Sequence, residues 1–156
     1  MRPDLFHLMR EALKEAEKGL SKGEVPVGAV LARPDGKIVA KAHNQPITRK
    51  DPTAHAEMIA ITAASNHLSS WRLNNCDIYV TMEPCVMCTG ALLNARINSI
   101  YFSSFDPKYG ACGSLYNLAE EGKYNHKIKL FSGLYSTESE KLLKDFFLKK
   151  RNISSN

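Results

Sequence analysis

Four side chains that could bind a metal ion or move a proton lie in two short stretches of the sequence. His55 is followed two residues later by Glu57 in DPTAHAE, and Cys85 and Cys88 stand three residues apart in PCVMC. Two cysteines at this spacing in the first turn of a helix can reach one ion, and such pairs typically hold zinc. The positive end of a helix also favours the thiolate form that a metal ligand requires. The pair therefore predicts two of the four ligands of a tetrahedral zinc site.

His55 is the candidate for a third ligand. A Cys-His-Cys set leaves one coordination position for water, as catalytic zinc sites do, whereas a structural site closes all four. Two other interpretations stay open on spacing alone. The cysteines could be a redox pair, or half of a structural zinc site that Cys76 or Cys112 completes. The conjunction of the two stretches, each at a predicted helix start and one strand apart, favours the catalytic zinc site.

Glu57 is the predicted proton carrier of this site. Two thiolates offset the charge of a zinc ion, so that a bound water needs help to lose its proton. A carboxylate beside the metal, but not on it, provides that help. Because residues i and i+2 do not share a helical face, we expect His55 and Glu57 to reach past the first turn of their helix, at the helix end.

Hydrophobic periodicity predicts four helices and five strands around these residues. The β-rich runs at 24–32 and 37–44, joined by the turn sequence RPDG, indicate an antiparallel hairpin. Thr53 is the candidate N-cap of the next helix, and Pro84 is expected to open the helix that carries the cysteines. The other predicted elements are helices at 4–18, 53–67, 84–95 and 137–150, and strands at 77–82, 97–103 and 127–132.

The order of these elements predicts an α/β fold. Strands separated by helices imply right-handed parallel crossovers and a central sheet with helices against its faces. The 156 residues, 1–156, fit a single domain, without repeat or linker. Residues 103–126 predict a long loop with at most a short helix at 117–122, and a loop of that length is usually functional or mobile.

The composition indicates a cytoplasmic protein without a membrane anchor. Four unevenly spaced cysteines do not read as the disulfide framework of a small secreted domain. The charged N-terminal stretch lacks the apolar block of a signal peptide, and no segment approaches the roughly 20 apolar residues of a membrane span. A net charge of +5 and a pI near 9.0 favour a polyanionic partner such as nucleic acid, without requiring one.

The combination of H-x-E with P-C-x-x-C is the signature of zinc-dependent nucleobase deaminases. Over nearly its whole length the sequence resembles the bacterial tRNA-specific adenosine deaminases, the TadA family, through EVPVGAV, HN, DPTAHAE, WRL, IYVTMEPCVMC, GSL, NH and DFF. The resemblance implies a three-layer α/β/α cytidine-deaminase-like fold with a central five-stranded mixed sheet, one Zn²⁺ per subunit and a homodimer. It also implies hydrolytic deamination of adenosine to inosine at the wobble position, the first anticodon position, of tRNA.

The resemblance further implies the roles of individual residues. His55, Cys85 and Cys88 would hold zinc, and Glu57 would exchange protons with water, with N1 of adenine and with the leaving ammonia. The backbone N–H groups of Ala56 and Cys85 are expected to steady the water. The expected substrate-binding residues, which would meet the tRNA anticodon stem-loop, are Asn44, Val27, Ala56, Asp106, Lys108, Phe146, Phe147 and Arg151.

Several of these contacts have a structural alternative. Asn44 and Asp106 each precede a proline by one or two residues and could be turn residues. Phe146 and Phe147 could pack in the core, although the basic end of their helix is expected to meet the stem-loop through charge. Glu83 is expected to make a structural hydrogen bond and not to act in catalysis.

The sequence departs from the family pattern in one loop. Residues 103–105, Ser-Ser-Phe, stand where the family commonly has Gly-Ala and a variable residue, and Tyr109 is bulky for its position. These differences leave the shape of the loop and the preference for flanking bases open. They do not alter the deamination chemistry that the resemblance implies.

Two other functions stay open on the sequence. The same zinc site also serves deaminases of a free base or nucleotide, such as guanine or cytosine. A zinc-stabilised RNA-binding protein without catalysis would require a fourth protein ligand and would leave Glu57 dispensable.

Overall fold

The computed structural model describes residues 2–154, which contain five strands and five helices. The strands are β1 (Gly28–Ala32), β2 (Ile38–His43), β3 (Asp77–Met82), β4 (Ser99–Ser104) and β5 (Lys129–Ser132). The helices are α1 (Leu5–Ser21), α2 (Pro46–Arg49), α3 (Ala56–Leu68), α4 (Val86–Asn94) and α5 (Ser136–Ser154). None of these helices combines the length and apolar character that a membrane crossing needs.

The five strands form one mixed sheet in the order β2-β1-β3-β4-β5. The sheet contains both strand directions. β1 is antiparallel to β2 and β3, whereas β3, β4 and β5 run parallel to one another. α4 makes the crossover between β3 and β4 that a parallel pair requires. The connection from β4 to β5, residues 105–128, forms turns and isolated bridges in place of a helix. The predicted hairpin and the five-stranded mixed sheet are confirmed.

α1 and α5 cover one face of this sheet. The apolar side chains of α1 recur at helical spacing and pack on β1 and β3, in a cluster of Leu8, Met9, Ala12, Val30, Ala32 and Tyr79. Gly28 permits this close approach, since a Cβ there would overlap the backbone carbonyl oxygen of Ala12. α5 contacts α1, β3 and β4.

α3 and α4 cover the opposite face. α3 presents Ala56, Ala60 and Ala64 inward, all fully buried, and these small side chains let the helix lie close to the sheet. The core between the helices and the sheet includes Leu31, Ile78, Val80, Leu92, Ile100 and Phe102. Helices on both faces confirm the predicted three-layer α/β/α fold.

The helix that carries the cysteines begins later than predicted. α4 starts at Val86 with Cys85 as its N-cap, so Pro84 lies before the helix and outside its first turn. Residues 117–122, where at most a short helix is expected, form a bridge and turns. The first strand is also shorter than predicted, because residues 24–27 approach it as irregular chain.

The predicted N-cap of α3 is wrong. His55, with extended backbone angles, is the N-cap residue in place of Thr53. The N–H and hydroxyl of Thr53 instead donate to Oδ1 of Asp51, at 2.8 and 2.7 Å. Asp51 therefore stabilises the turn that leads into the helix. The ring of His55 makes no capping hydrogen bond to α3.

Candidate active site

Two helix N-termini meet at the predicted zinc site. His55 is the N-cap of α3, Cys85 is the N-cap of α4, and the two helices contact each other. Neither side chain makes the usual N-cap hydrogen bond, so both can face a shared ion. Cys88 lies in the first turn of α4 and is fully buried. The expectation that the site lies at helix ends is confirmed.

The three predicted ligand atoms form a small triangle. Nδ1 of His55 is 3.7 Å from Sγ of Cys85 and 3.5 Å from Sγ of Cys88, and all three atoms lie within 4.8 Å of one another. Ordinary zinc bond lengths at a tetrahedral angle give an N···S separation of about 3.6 Å. The donor set therefore fits Zn²⁺. Within residues 2–154 this group holds no fourth protein ligand, and neither Cys76 nor Cys112 belongs to it.

The surroundings of the two thiols have opposite effects on their ionisation. The Cys88 hydrogen bond and the His55 ring lower the pKa of the Cys85 thiol to about 4, although burial opposes this. The neighbouring Cys85 sulfur and burial raise the pKa of Cys88. The lowered pKa of Cys85 favours its thiolate, and the negative charge of that thiolate opposes ionisation of Cys88. A bound cation removes that repulsion, and both sulfurs can then serve as thiolate ligands.

Glu57 lies in the first turn of α3, beside the ligands but outside their group. Its side chain is 4% exposed, and burial raises its pKa above the ordinary carboxyl value. Glu57 lines the same cavity as His55 and Cys85. A carboxyl group in this place can exchange protons with a molecule in the cavity without binding the metal.

A cavity of about 830 Å³ opens in front of the metal ligands. It is large enough to admit a nucleoside-sized group. Its walls bring together most of the residues predicted to bind substrate, namely Val27, Asn44, Asp106, Lys108 and Phe147, with His55, Glu57 and Cys85. The sequence did not identify Met82 or Leu143 as lining residues, since both read as ordinary apolar positions of a strand and a helix.

Asn44 is fixed between two elements of the site. Its N–H donates to the carbonyl oxygen of Val27 at 3.0 Å, and its side-chain Oδ1 accepts from the N–H of Ala56 at 2.9 Å. Asn44 thereby caps α3 from a distance, in place of the N-cap His55. The Nδ2 hydrogens keep their donor capacity on the cavity wall. Asn44 can therefore serve as a structural residue and still bind substrate through Nδ2.

Ala56 lies between two residues that line the cavity but does not line it itself. Its residue is fully buried, and its single amide proton is donated to Asn44. Ala56 therefore positions Asn44, and a second bond from Ala56 to a water would have to share the same proton.

Glu83 holds the loop that follows β4. Its buried carboxylate accepts from the N–H groups of Asp106, Cys112 and Ser114, each at 3.0 Å, and from the Ser114 hydroxyl. Gly110 is required beside it, since a Cβ there would overlap the carboxylate. Glu83 thus makes structural hydrogen bonds, as expected. These bonds together hold the loop that carries Asp106 in place.

Glu24 holds α2 in a similar way, a role that was not predicted from the sequence. Its fully buried carboxylate accepts from the N–H of Ile47 (3.2 Å) and from the N–H and hydroxyl of Thr48 (both 2.7 Å). Burial opposes ionisation, but the bonds from Thr48 and Ile47 outweigh it and lower the pKa of Glu24. The carboxylate therefore anchors α2, directly after Asn44. The only sequence signal is an acidic residue in an otherwise apolar run.

Comparison with known proteins agrees with this geometry. The model of the cytidine and deoxycytidylate deaminase zinc-binding region matches residues 4–104. The chain is 46% identical over 143 residues to the tRNA-specific adenosine deaminase of Bacillus subtilis, covering 92% of this chain and 88% of that protein. The protein of the same name from Aquifex aeolicus is 44% identical over 94% of this chain and 95% of its own. This chain belongs to the tRNA-specific adenosine deaminase family.

Solved structures agree with the family assignment. A structure from a study of A-to-I editing by tRNA:A34 deaminases at the wobble position of transfer RNA has a TM-score of 0.84 and 40% identity, covering 88% of this chain and 99% of that one. A guanine deaminase from Nitrosomonas europaea, at 21% identity and a TM-score of 0.79 over 92% of this chain and 85% of its own, shares the fold alone. The deaminase takes zinc as its cofactor, since the matched region is zinc-binding and the donor set fits the ion.

The deaminase also has a basic groove beside the cavity. This groove, of about 570 Å³, shares Lys108 and Phe147 with the cavity and is further lined by Lys144, Lys150, Arg151 and Ser154. Arg151 therefore lies in the groove and not in the cavity. Phe146 lines neither space, and its ring packs edge-to-face on Phe147 at 5.2 Å with Lys150 above it at 5.8 Å. Of the two phenylalanines, only Phe147 faces the site.

Proposed function

We propose that residues 1–156 form a single deaminase domain that converts adenosine to inosine at the wobble position of tRNA by zinc-dependent hydrolysis. The names of the two bacterial relatives and the wobble-position study of the structural neighbour support this substrate. One structural observation carries the proposal: the cavity that Glu57 lines shares Lys108 and Phe147 with a groove lined by four basic side chains. A free base or nucleotide needs no such groove, whereas a polynucleotide does.

His55, Cys85 and Cys88 hold the zinc ion in this proposal. When bound, zinc supplies a Lewis acid that lowers the pKa of a water at its fourth position. Glu57 takes a proton from the attacking water and delivers one to N1 of adenine. It then takes the second proton from the hydroxyl formed at C6 and delivers it to the amine, so that the C6–N bond breaks and adenosine and water give inosine and ammonia. The buried position of Glu57 beside the ligands supports this role.

The cavity walls would hold the base and its ribose. Nδ2 of Asn44 would donate to an acceptor of the base or ribose, and Val27 would provide an apolar wall. Asp106 uses Oδ1 to accept from its own loop, from the N–H groups of Lys108 (3.1 Å) and Tyr109 (3.3 Å). Its other oxygen would accept from a ribose 2′-hydroxyl, which would favour RNA over DNA.

The basic groove would receive the anticodon stem-loop. Lys108 and Arg151 would contact phosphates, and Phe147, at 44% exposure, would offer a ring to a base at the boundary between groove and cavity. Phe146 would act through packing on Phe147.

The proposal is tested with a panel of substrates. Purified zinc-loaded protein is incubated with anticodon stem-loops that carry adenosine at the wobble position, and separately with free guanine, cytosine and cytidine. Inosine and ammonia are then measured. We expect inosine in the stem-loop and no ammonia from the small molecules. Ammonia from a free base without inosine in RNA would refute the proposed substrate.

We also infer a homodimer and a cytoplasmic location. The family resemblance supports the dimer, as do large apolar side chains left exposed in the monomer, including Ile47, Trp71 and Val86. Free cysteines and a tRNA substrate support the cytoplasm. Light scattering after size exclusion, which gives the molar mass directly, tests the dimer, and a mass of one chain would refute it.

A further inference from the structure

The loop from Phe105 to Ser114 holds Tyr109 on a fixed backbone. Glu83 accepts four hydrogen bonds from this loop, and the carbonyl oxygen of Asp106 accepts from the N–H of Gly110 at 2.9 Å. The N–H of Tyr109 donates to Oδ1 of Asp106 at 3.3 Å. The position from which the Tyr109 side chain leaves the backbone is therefore set by a bonded network.

The ring of Tyr109 has no structural role in the described chain. The residue is 69% exposed, and the aromatic pairs found within residues 2–154 do not include it. Only its backbone N–H is bonded, and the hydroxyl has no partner among the described residues. The ring is therefore free to contact another molecule.

The ring nevertheless lines the catalytic cavity, together with Asp106 and Lys108. Its high exposure places it at the mouth and not at the floor, where the buried Glu57 lies. If the cavity holds the target base, the nucleotides on either side must cross this mouth, because the chain that bears the base continues in both directions. Unstacked bases of single-stranded RNA bind aromatic side chains by stacking.

We propose that the Tyr109 ring stacks on the base of a nucleotide that flanks the target in the anticodon loop, which makes Tyr109 a substrate-binding residue. This inference rests on the proposed function. A rigid loop suits this contact, since no ordering of the backbone is required when the base arrives. Lys108, one residue earlier, lies in both cavity and groove and brings a positive charge to the adjoining phosphate.

The test compares single-turnover kcat/KM for Tyr109→Ala, Tyr109→Phe and Tyr116→Ala with that of the wild type on one stem-loop. Tyr116 is the matched control, because it is 56% exposed but does not line the cavity. A stacked base is worth about 1–3 kcal/mol, so Tyr109→Ala should lose roughly 5- to 150-fold in kcat/KM. Tyr109→Phe should keep a kcat/KM near the wild-type value, and Tyr116→Ala should change kcat/KM little.

Abasic sites then identify the contact. Each nucleotide that flanks the target is replaced in turn by an abasic residue. At one of the two positions, wild type and Tyr109→Ala should become equal, since the stacking partner is gone. An undiminished Tyr109→Ala loss on both abasic substrates, or the lack of any loss, overturns this inference alone. A wild type that forms no inosine on the intact stem-loop overturns the proposed function and this inference with it.

Discussion

Asn44 both stabilises the start of α3 and lines the wall of the active-site cavity. Its Oδ1 accepts from the N–H of Ala56, one of the donors that a helix start leaves unpaired, while its Nδ2 group stays on the cavity wall. His55, the N-cap residue itself, is thereby free to face the two cysteines. A single asparagine therefore makes it possible for an N-cap histidine to be a ligand.

The two functions of Asn44 can be separated by substitution. Asn44→Ala should lower the free energy of unfolding by about 1 kcal/mol, the usual cost of a lost N-cap, and should also lower kcat/KM. Asn44→Asp keeps the acceptor but not the donor, so stability should stay near the wild-type value while kcat/KM still falls. Urea unfolding and single-turnover kinetics measure the two effects.

The exposed Asn75 offers a matched control. Asn75→Ala should change neither property. If Asn44→Asp retains full activity, the Nδ2 group does not contact the substrate.

At the scale of elements, the loop from residue 105 to residue 128 takes the place of a crossover helix between β4 and β5. Its start is fixed by the buried carboxylate of Glu83, at the end of β3. The same residue lies two positions before the ligand Cys85. The metal site and the substrate loop are thus tied to one short segment of chain.

Glu83→Gln should loosen this loop and raise KM more than it lowers kcat. The amide group replaces one acceptor by a donor that faces N–H groups, and each bond to a charged acceptor contributes about 1.5–3 kcal/mol. Hydrogen exchange at the amides of Cys112 and Ser114 should therefore accelerate about tenfold or more.

Glu140→Gln, on the exposed side of α5, is the control with the same change of charge. Unchanged exchange at both amides in Glu83→Gln would show that other contacts hold the loop.

Much of this architecture could be predicted from the sequence because it depends on local signals. Periodicity predicted the five strands and four of the five helices, but not the short α2. The H-x-E and P-C-x-x-C spacings predicted that His55, Cys85 and Cys88 come together. The start of α4 was placed too early because proline favours a first helical turn in general, whereas here Cys85 takes the N-cap position.

Contacts between residues distant in the sequence could not be predicted in the same way. Glu24 and Glu83 each receive hydrogen bonds from residues more than twenty positions away. The bond from Ala56 to Asn44 likewise spans twelve positions. Such partners become visible only once the fold has brought the segments together. The distinction between Phe146 and Phe147 also depends on the orientation of α5 against the sheet.

At the scale of the whole molecule, the distribution of the positive charge indicates the binding surface better than the net charge of +5 does. One groove, which shares Lys108 and Phe147 with the cavity, is lined by Lys108, Lys144, Lys150 and Arg151. Concentrated positive charge beside a catalytic pocket attracts a polyanion and guides it toward the site.

Binding of the anticodon stem-loop should therefore weaken steeply with salt. Lys144→Gln should lower affinity and reduce the slope of log K against log salt by about one, as expected for a lost phosphate contact. Fluorescence anisotropy across a salt series measures both quantities.

The exposed Lys37, in the turn between β1 and β2, provides the matched control. Lys37→Gln removes the same charge and should leave the slope unchanged. A flat salt response of the wild type would argue against phosphate contacts in the groove.

The account as a whole depends on Glu57 as proton carrier at a zinc site that acts on the wobble adenosine. The most direct test is single-turnover inosine formation at that position by wild type and Glu57→Gln, with zinc content and stem-loop affinity measured on the same samples. Glu57 is not among the ligands, so Glu57→Gln should keep zinc and RNA binding yet react about 10²- to 10⁴-fold more slowly. A Glu57→Gln enzyme that retains zinc and forms inosine at the wild-type rate would contradict the account.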